Sequence, residues 1–183
     1  MTKLLGISGS LRSGSFNTSL LKAASALLPP DTVLDIRTLH GIPLYDGDLE
    51  AESGIPMAVK ELKQAFHAAD GVLLASPEYN NSLPGVFKNA IDWLSRPPAD
   101  APMLFAGKRI AVIGASPGGF GTILAQNAWL PVLRTLNTAP WFGGRLMVSR
   151  AGSVFDQSGA LTDQGVREQL QKYLAGFVEY VRG

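Results

Sequence analysis

Apolar and polar residues follow two patterns along this chain, one typical of buried strands and the other of amphipathic helices. The short apolar run Gly71–Ala75 has no polar face, as in a strand that is covered on both sides. In residues 57–69 the apolar side chains recur at spacings of three and four, as on one buried face of a helix. The pattern predicts strands at 3–8, 33–36, 71–75, 109–115 and 146–148, and helices at 18–28, 57–69, 85–94, 123–136 and 166–181.

Strands and helices alternate five times in this assignment. Such alternation predicts an α/β fold with a five-stranded parallel sheet and helices on both of its faces. The 183 residues suffice for one domain of ordinary size, and no repeat or low-complexity tract divides them. We therefore predict a single domain over residues 1–183.

Two segments fall outside this alternation. Residues 40–56 are predicted to be a connection without regular structure, which is long for a compact domain. It is either a rim over a functional site or a packed surface excursion, and the sequence favours neither. Further along, Pro97, Pro98 and Pro102 predict an irregular loop with no helix, because proline interrupts helical hydrogen bonding.

The predicted helix 123–136 is apolar over most of its surface, and Pro131 is expected to kink it. A helix with so little polar surface is expected to be covered on two sides. The sequence leaves open whether the second cover is the rest of the same chain or another copy of it.

Composition excludes several classes of protein. Hydrophobic residues make up 46% of the chain and charged residues 17%, which is a globular composition without a membrane span or a secretory signal. We therefore expect a cytoplasmic protein. The net charge of +1 is dispersed, so no basic stripe for nucleic acid is predicted. With no cysteine and with His40 and His67 isolated, neither thiolate chemistry nor a metal site is expected.

The stretch 9–17, Gly-Ser-Leu-Arg-Ser-Gly-Ser-Phe-Asn, is the first candidate site. It lies between the first strand and the first helix, where unpaired backbone N–H groups and the positive end of the helix dipole favour an anion. Arg12 adds a charge. The lysine of nucleotide triphosphate loops and the Gly-x-Gly-x-x-Gly spacing of dinucleotide loops are both missing. The loop thus predicts either a site for a terminal monophosphate or a helix capped by its own serines.

Two later loops open at the same edge of the predicted sheet. Residues 76–80 follow the third strand and residues 116–122 follow the fourth, and open α/β sheets bind ligands at that edge. The glycines of the later loop either admit a flat ligand or form a tight turn. Residues 114–118 also match the Gly-x-Ser-x-Gly nucleophile elbow around Ser116, but both histidines precede this serine, which disfavours a serine hydrolase.

Taken in order, these loops resemble those of the NADPH-dependent FMN reductase family. The resemblance rests on Gly-Ser-Leu-Arg-Ser-Gly-Ser-Phe-Asn at 9–17, and on Pro-Glu-Tyr-Asn at 77–80 followed by Pro-Gly-x-x-Lys-Asn-x-x-Asp-Trp at 84–93. It extends over essentially the whole chain and is closest to members described as quinone, chromate or azo-dye reductases. It implies a flavodoxin-like three-layer sandwich that binds FMN.

The resemblance also implies roles for individual residues. The first loop is expected to hold the FMN phosphate and the two later loops to border the ring and the ribityl chain. The implied cofactor-binding residues are Ser10, Leu11, Arg12, Ser15, Phe16, Asn17, Pro77, Glu78, Tyr79, Asn80, Ser116, Pro117, Gly118 and Gly119. No catalytic side chain is expected, because the cofactor carries the hydride chemistry.

The same resemblance implies NADPH or NADH as co-substrate, small-molecule electron acceptors, and a homodimer or homotetramer. The alternative within this fold is a non-enzymatic electron carrier like flavodoxin. Such carriers usually dock through an acidic surface, which a sequence pI near 8.0 disfavours.

Overall fold

A parallel β-sheet forms the centre of the computed structural model, which describes all 183 residues. Its strands are β1 (Thr2–Ser8), β2 (Thr32–Arg37), β3 (Gly71–Ala75), β4 (Arg109–Ala115), β5 (Ala139–Pro140) and β6 (Met147–Val148). The order is β2–β1–β3–β4–β5, with β6 also paired to β4, and every pairing is parallel. The predicted parallel sheet is confirmed.

Helices cover both faces of this sheet. They are α1 (Phe16–Ala26), α2 (Gly47–Ser53), α3 (Met57–Ala68), α4 (Gly85–Leu94), α5 (Ala101–Phe105), α6 (Ile123–Thr135) and α7 (Gln164–Arg182). Strand β3 shows why its sequence is apolar throughout: Leu73 packs with α1 and α7, whereas Val72 and Leu74 pack with α3 to α6 on the opposite face. The three-layer architecture is therefore confirmed. None of the helices combines the length and the apolar character needed to cross a membrane.

Two short helices occupy segments that were predicted to be irregular. Within residues 40–56, helix α2 begins after Asp46, whose side chain caps it by accepting from Asp48 N–H at 2.9 Å. In the proline-rich segment, helix α5 contains Pro102 in its first turn, where a missing N–H costs no helical hydrogen bond. Both predictions of irregular structure were wrong at these places.

The edge of the sheet beyond β4 is divided. Instead of one last strand, β5 pairs with the beginning of β4 and β6 with its end, and the chain between them leaves the sheet. In that gap the carbonyl of Val112 accepts a hydrogen bond from Tyr173 Oη at 3.1 Å. Burial raises the pKa of Tyr173, which keeps the donating proton in place.

Helix α6 is continuous through Pro131 and is covered on only one side. Ala125, Trp129 and Leu133 are buried in the core, whereas 44% of Leu124 and 41% of Leu130 are exposed to solvent. The rest of the chain does not cover this second apolar side.

Candidate functional site

Three loops meet where adjacent strands end. The first loop (residues 9–15) follows β1, the second (76–84) follows β3, and the third (116–122) follows β4. Gly9 N–H donates to Ala75 O at 2.9 Å and holds the first loop beside the second. The chain runs from β1 to β2 on one side and continues through β3 and β4 on the other, and open α/β sheets bind ligands at such a switch point.

The first loop leads into the N-terminus of α1. Ser15 is the N-cap residue, and its Oγ accepts from Thr18 N–H at 3.3 Å, which leaves the earlier N–H groups of the first turn without partners in the helix. Ser10 is buried, and its Oγ accepts from Arg12 N–H at 3.3 Å. The exposed guanidinium of Arg12 makes no hydrogen bond or ion pair with the protein. Spare donors beside an unpaired cation suit an anion.

Two further residues of this stretch, Phe16 and Leu11, make contacts within the protein. Phe16 stacks on Phe155 with ring centroids 5.9 Å apart, so its ring belongs to the core. The Leu11 carbonyl accepts from His40 Nε2–H at 3.1 Å, a contact that no pattern around this histidine indicated. Phe16 can therefore offer a ligand mainly its backbone, whereas Leu11 has an occupied carbonyl and an exposed side chain.

Asn17, in the first turn of α1, joins this helix to the end of β4, just before the third loop. Its amide oxygen accepts from Ala115 N–H at 3.0 Å, and its amide nitrogen donates to Ala115 O at 2.9 Å. The side chain is buried, and this pair of bonds uses it at the end of β4. Its predicted contact with a phosphate is therefore left to the backbone N–H in the first turn of α1.

Close packing between the first and second loops explains Gly9. A Cβ at this position would overlap the ring of Phe87 and would lie 2.9 Å from Pro77 Cδ. Phe87 is fully buried and Pro77 lies in the interior, so neither can move aside. The two loops form one continuous wall.

A tight hairpin at the tip of the second loop presents Tyr79. Tyr79 and Ser82 exchange both backbone hydrogen bonds at 3.1 Å. Between them, Asn80 and Asn81 have φ angles of 50° and 62°, as a type I′ turn requires. The Tyr79 ring is 43% exposed, and its hydroxyl lies 3.5 Å from Ser10 Oγ. The turn therefore places an aromatic ring beside the first loop.

Glu78 reaches from the second loop to helix α6. Its Oε2 accepts from Leu124 N–H at 2.9 Å and from Ala125 N–H at 3.0 Å. The Glu78 carboxylate thus caps a helix that follows the third loop, and the second and third loops are held together by it.

The third loop is a glycine-rich turn that is open to solvent. Ser116 Oγ donates to Gly121 O at 2.6 Å, and Gly121 needs to be glycine because its φ is +63°. Gly118 and Gly119 differ from Gly121: neither has a positive φ, and a Cβ on Gly119 would meet nothing within 4 Å. The N–H groups of Gly118 and Gly119 also donate to no protein atom. The fold itself does not require these two glycines.

Neither histidine assists Ser116. His40 bonds to Thr38 and Leu11, and the Ser116 hydroxyl is engaged by Gly121. No group of three or more His, Cys, Asp or Glu side chains is arranged to hold a metal ion. A serine-hydrolase mechanism has no general base here.

The segment before α2 packs on helix α4, directly after the second loop. The Pro43 carbonyl accepts from Asn89 Nδ2 at 2.8 Å and from Trp93 Nε1 at 2.9 Å. Arg96 Nε donates to Glu50 at 2.7 Å, and this bond lowers the pKa of the Glu50 carboxyl. The middle of the segment is thus packed on helix α4, whereas His40 at its start contacts Leu11 of the first loop.

Comparison with known proteins gives one consistent result. Residues 2–153 match the family described as NADPH-dependent FMN reductase. The chain is 45% identical over 180 residues to an NAD(P)H-dependent FMN reductase of Pseudomonas aeruginosa, with 98% of this chain and 95% of that protein covered. It is 36% identical to the quinone reductase of Escherichia coli, with 95% and 92% covered.

A solved structure agrees with these sequences. The flavoenzyme NAD(P)H:(acceptor) oxidoreductase FerB from Paracoccus denitrificans superimposes with a TM-score of 0.86 at 33% identity. The match covers 100% of this chain and 98% of that one.

Proposed function

We propose a function for this chain as a reductase of small electron acceptors. The chain belongs to the NADPH-dependent FMN reductase family and is an oxidoreductase that uses FMN and NAD(P)H. It takes hydride from NADPH or NADH and reduces small acceptors, with quinones as the principal class and chromate, azo compounds or free flavin as further ones. Bound FMN would supply the hydride and electron chemistry, for which this chain has no cysteine pair of its own.

Arg12 and the first turn of α1 would hold the FMN phosphate. One observation carries the proposal. The Arg12 guanidinium and the N–H groups at the start of α1 have no partner in the protein, and they lie at the switch point of a parallel sheet. Ser10 and Ser15, both buried beside them, would add hydroxyl contacts. The donor set thus fits a phosphate monoester.

The second and third loops would enclose the ring. Tyr79 offers an aromatic face, and Gly118 and Gly119 allow a flat ligand to approach the backbone without a clash. Their N–H groups, which have no acceptor in the protein, can stabilise negative charge that develops on a bound ring. In this assignment Glu78, Asn80, Ser116 and Pro117 shape the walls, and the chain needs no acid or base of its own.

Assembly and location belong to the same proposal. Residues 1–183 act as one domain that forms a homodimer or homotetramer in the cytoplasm, where NAD(P)H is available. Support for assembly comes from the uncovered side of α6, which borders an apolar cavity of about 410 Å³. The half-exposed Ile123 of α6 and Phe142, which is 69% exposed, also line this cavity. Light scattering on the purified chain would measure the mass of the assembly.

The direct test is an absorption spectrum followed by a titration with NADPH. We expect a yellow protein that releases FMN on denaturation and oxidises NADPH or NADH when a quinone is added. A colourless protein that also fails to bind added FMN would contradict the proposal. Bound FMN without turnover of either nicotinamide would instead favour an electron carrier.

A further inference from the structure

The cap of helix α6 comes from outside its own segment. Thr122 occupies the N-cap position, where threonine commonly bonds to the first turn, but its side chain makes no capping bond. Thr122 Oγ1 instead accepts from Gln126 Nε2 at 3.2 Å and is buried against Gly114. The N–H groups of Leu124 and Ala125 are satisfied by Glu78, 46 and 47 positions earlier in the chain.

This bond pair joins the two loops that face the ring in the proposed site. Glu78 directly precedes Tyr79 in the second loop, and Leu124 lies two residues after the third loop ends. No other side-chain hydrogen bond is made directly between these two stretches of chain. The carboxylate therefore limits how far the two loops can separate.

We propose that Glu78 is a positioning residue, whose carboxylate sets the spacing between the second and third loops and so the width of the slot for the flavin ring. This inference rests on the proposed function. It changes the role of Glu78 from a ligand contact to a tie between the two walls. The carboxylate is suited to this task, because one oxygen accepts two N–H groups at the positive end of a helix.

Three substitutions separate geometry from charge. Glu78→Ala removes both bonds. Glu78→Asp keeps the charge but is one methylene shorter, so its carboxylate cannot reach both N–H groups from the same backbone position. Glu78→Gln loses the charge but keeps an amide oxygen at the same reach. Glu61→Gln, at an exposed position of helix α3, is the matched control for loss of a carboxylate.

The experiment measures the FMN dissociation constant at 25 °C, the visible spectrum of bound FMN, and the melting temperature of the cofactor-free chain. We expect Glu78→Ala and Glu78→Asp to weaken FMN binding by about tenfold and to alter the flavin band shape. Glu78→Gln should bind within about threefold of the unsubstituted chain, since it preserves the spacing. Glu61→Gln should match the unsubstituted chain.

The outcomes distinguish the inference from its premise. If Glu78 only stabilised α6, Glu78→Ala would lower the melting temperature while folded protein bound FMN normally, and the inference would be overturned. If Glu78→Ala does not fold, the comparison of Glu78→Asp with Glu78→Gln decides. Equal affinity of these two variants for FMN would overturn the inference. Failure of the unsubstituted chain to bind FMN would contradict the proposed function itself.

Discussion

The first loop offers a ligand a charge and a set of backbone donors, whereas the second and third loops offer it mainly a shape. At the phosphate end, Arg12 and the first turn of α1 are unpaired in the protein. In the second and third loops, two polar side chains are already occupied, Glu78 by helix α6 and Ser116 by Gly121. The glycines there contribute space. In the proposed assignment the two ends would recognise one ligand by separate means, so we expect that each can be disrupted without the other.

Removal of the phosphate from the ligand tests the comparison most strongly. Riboflavin has the same ring as FMN but lacks the phosphate, so it forgoes both the contact with Arg12 and the N-terminus of α1. We expect it to bind more weakly than FMN by about 3 kcal/mol, or about 150-fold. Fluorescence titration of the cofactor-free chain with each flavin measures this difference. Equal affinities would show that the first loop holds no phosphate.

The second test changes the protein at the same end. Arg12→Ala removes one charge-assisted contact and should weaken FMN binding by about 1.5 to 3 kcal/mol. Riboflavin binding should not change, because riboflavin has no phosphate for Arg12 to contact. Arg167→Ala, an exposed arginine on α7 without a side-chain partner, is the matched control. A loss of riboflavin affinity equal to that of FMN would place Arg12 at the ring instead.

The third and smallest effect is expected at the ring end. In Gly119→Ala the new methyl group meets nothing in the protein, so the melting temperature of the cofactor-free chain should not fall. A bound ring would meet the methyl group, and the affinities for FMN and riboflavin should both decrease by about 1 kcal/mol. Calorimetry and the same titrations measure the two quantities.

Gly47→Ala, at the start of α2, is the control for this substitution, since a Cβ there has only an ordinary contact at 3.8 Å. Unchanged affinity for both flavins in Gly119→Ala would place the ring away from the third loop.

The sheet could be predicted because its signal is repeated along whole strands. Strand β3 is buried on both faces, so each of its positions carries the same information, and its bounds match the apolar run. Helices α2 and α5 have seven and five residues, which is too short for a helical period to be recognised. They form because Asp46 caps one and Pro102 fits the first turn of the other.

The meeting of the three loops at one edge of the sheet was predictable, but the bonds of their polar side chains were not. Asn17 at the start of α1 and Glu78 in the second loop stand beside residues suited to a ligand, and their polarity fits a ligand contact as well as a bond to the protein. Their partners lie 98 and about 46 positions away in the sequence, respectively. Only the folded arrangement shows that Asn17 joins α1 to β4 and that Glu78 joins the second loop to α6.

The divided edge of the sheet also restricts how copies of the chain can associate. A continuous edge strand is a template to which another chain can add by backbone pairing. Here β5 and β6 are two residues each, and the Val112 carbonyl between them is occupied by the Tyr173 hydroxyl. The sheet of one copy therefore cannot extend into the next at this edge. Assembly on this side must use side-chain surfaces, and the edge has little exposed backbone that could nucleate aggregation.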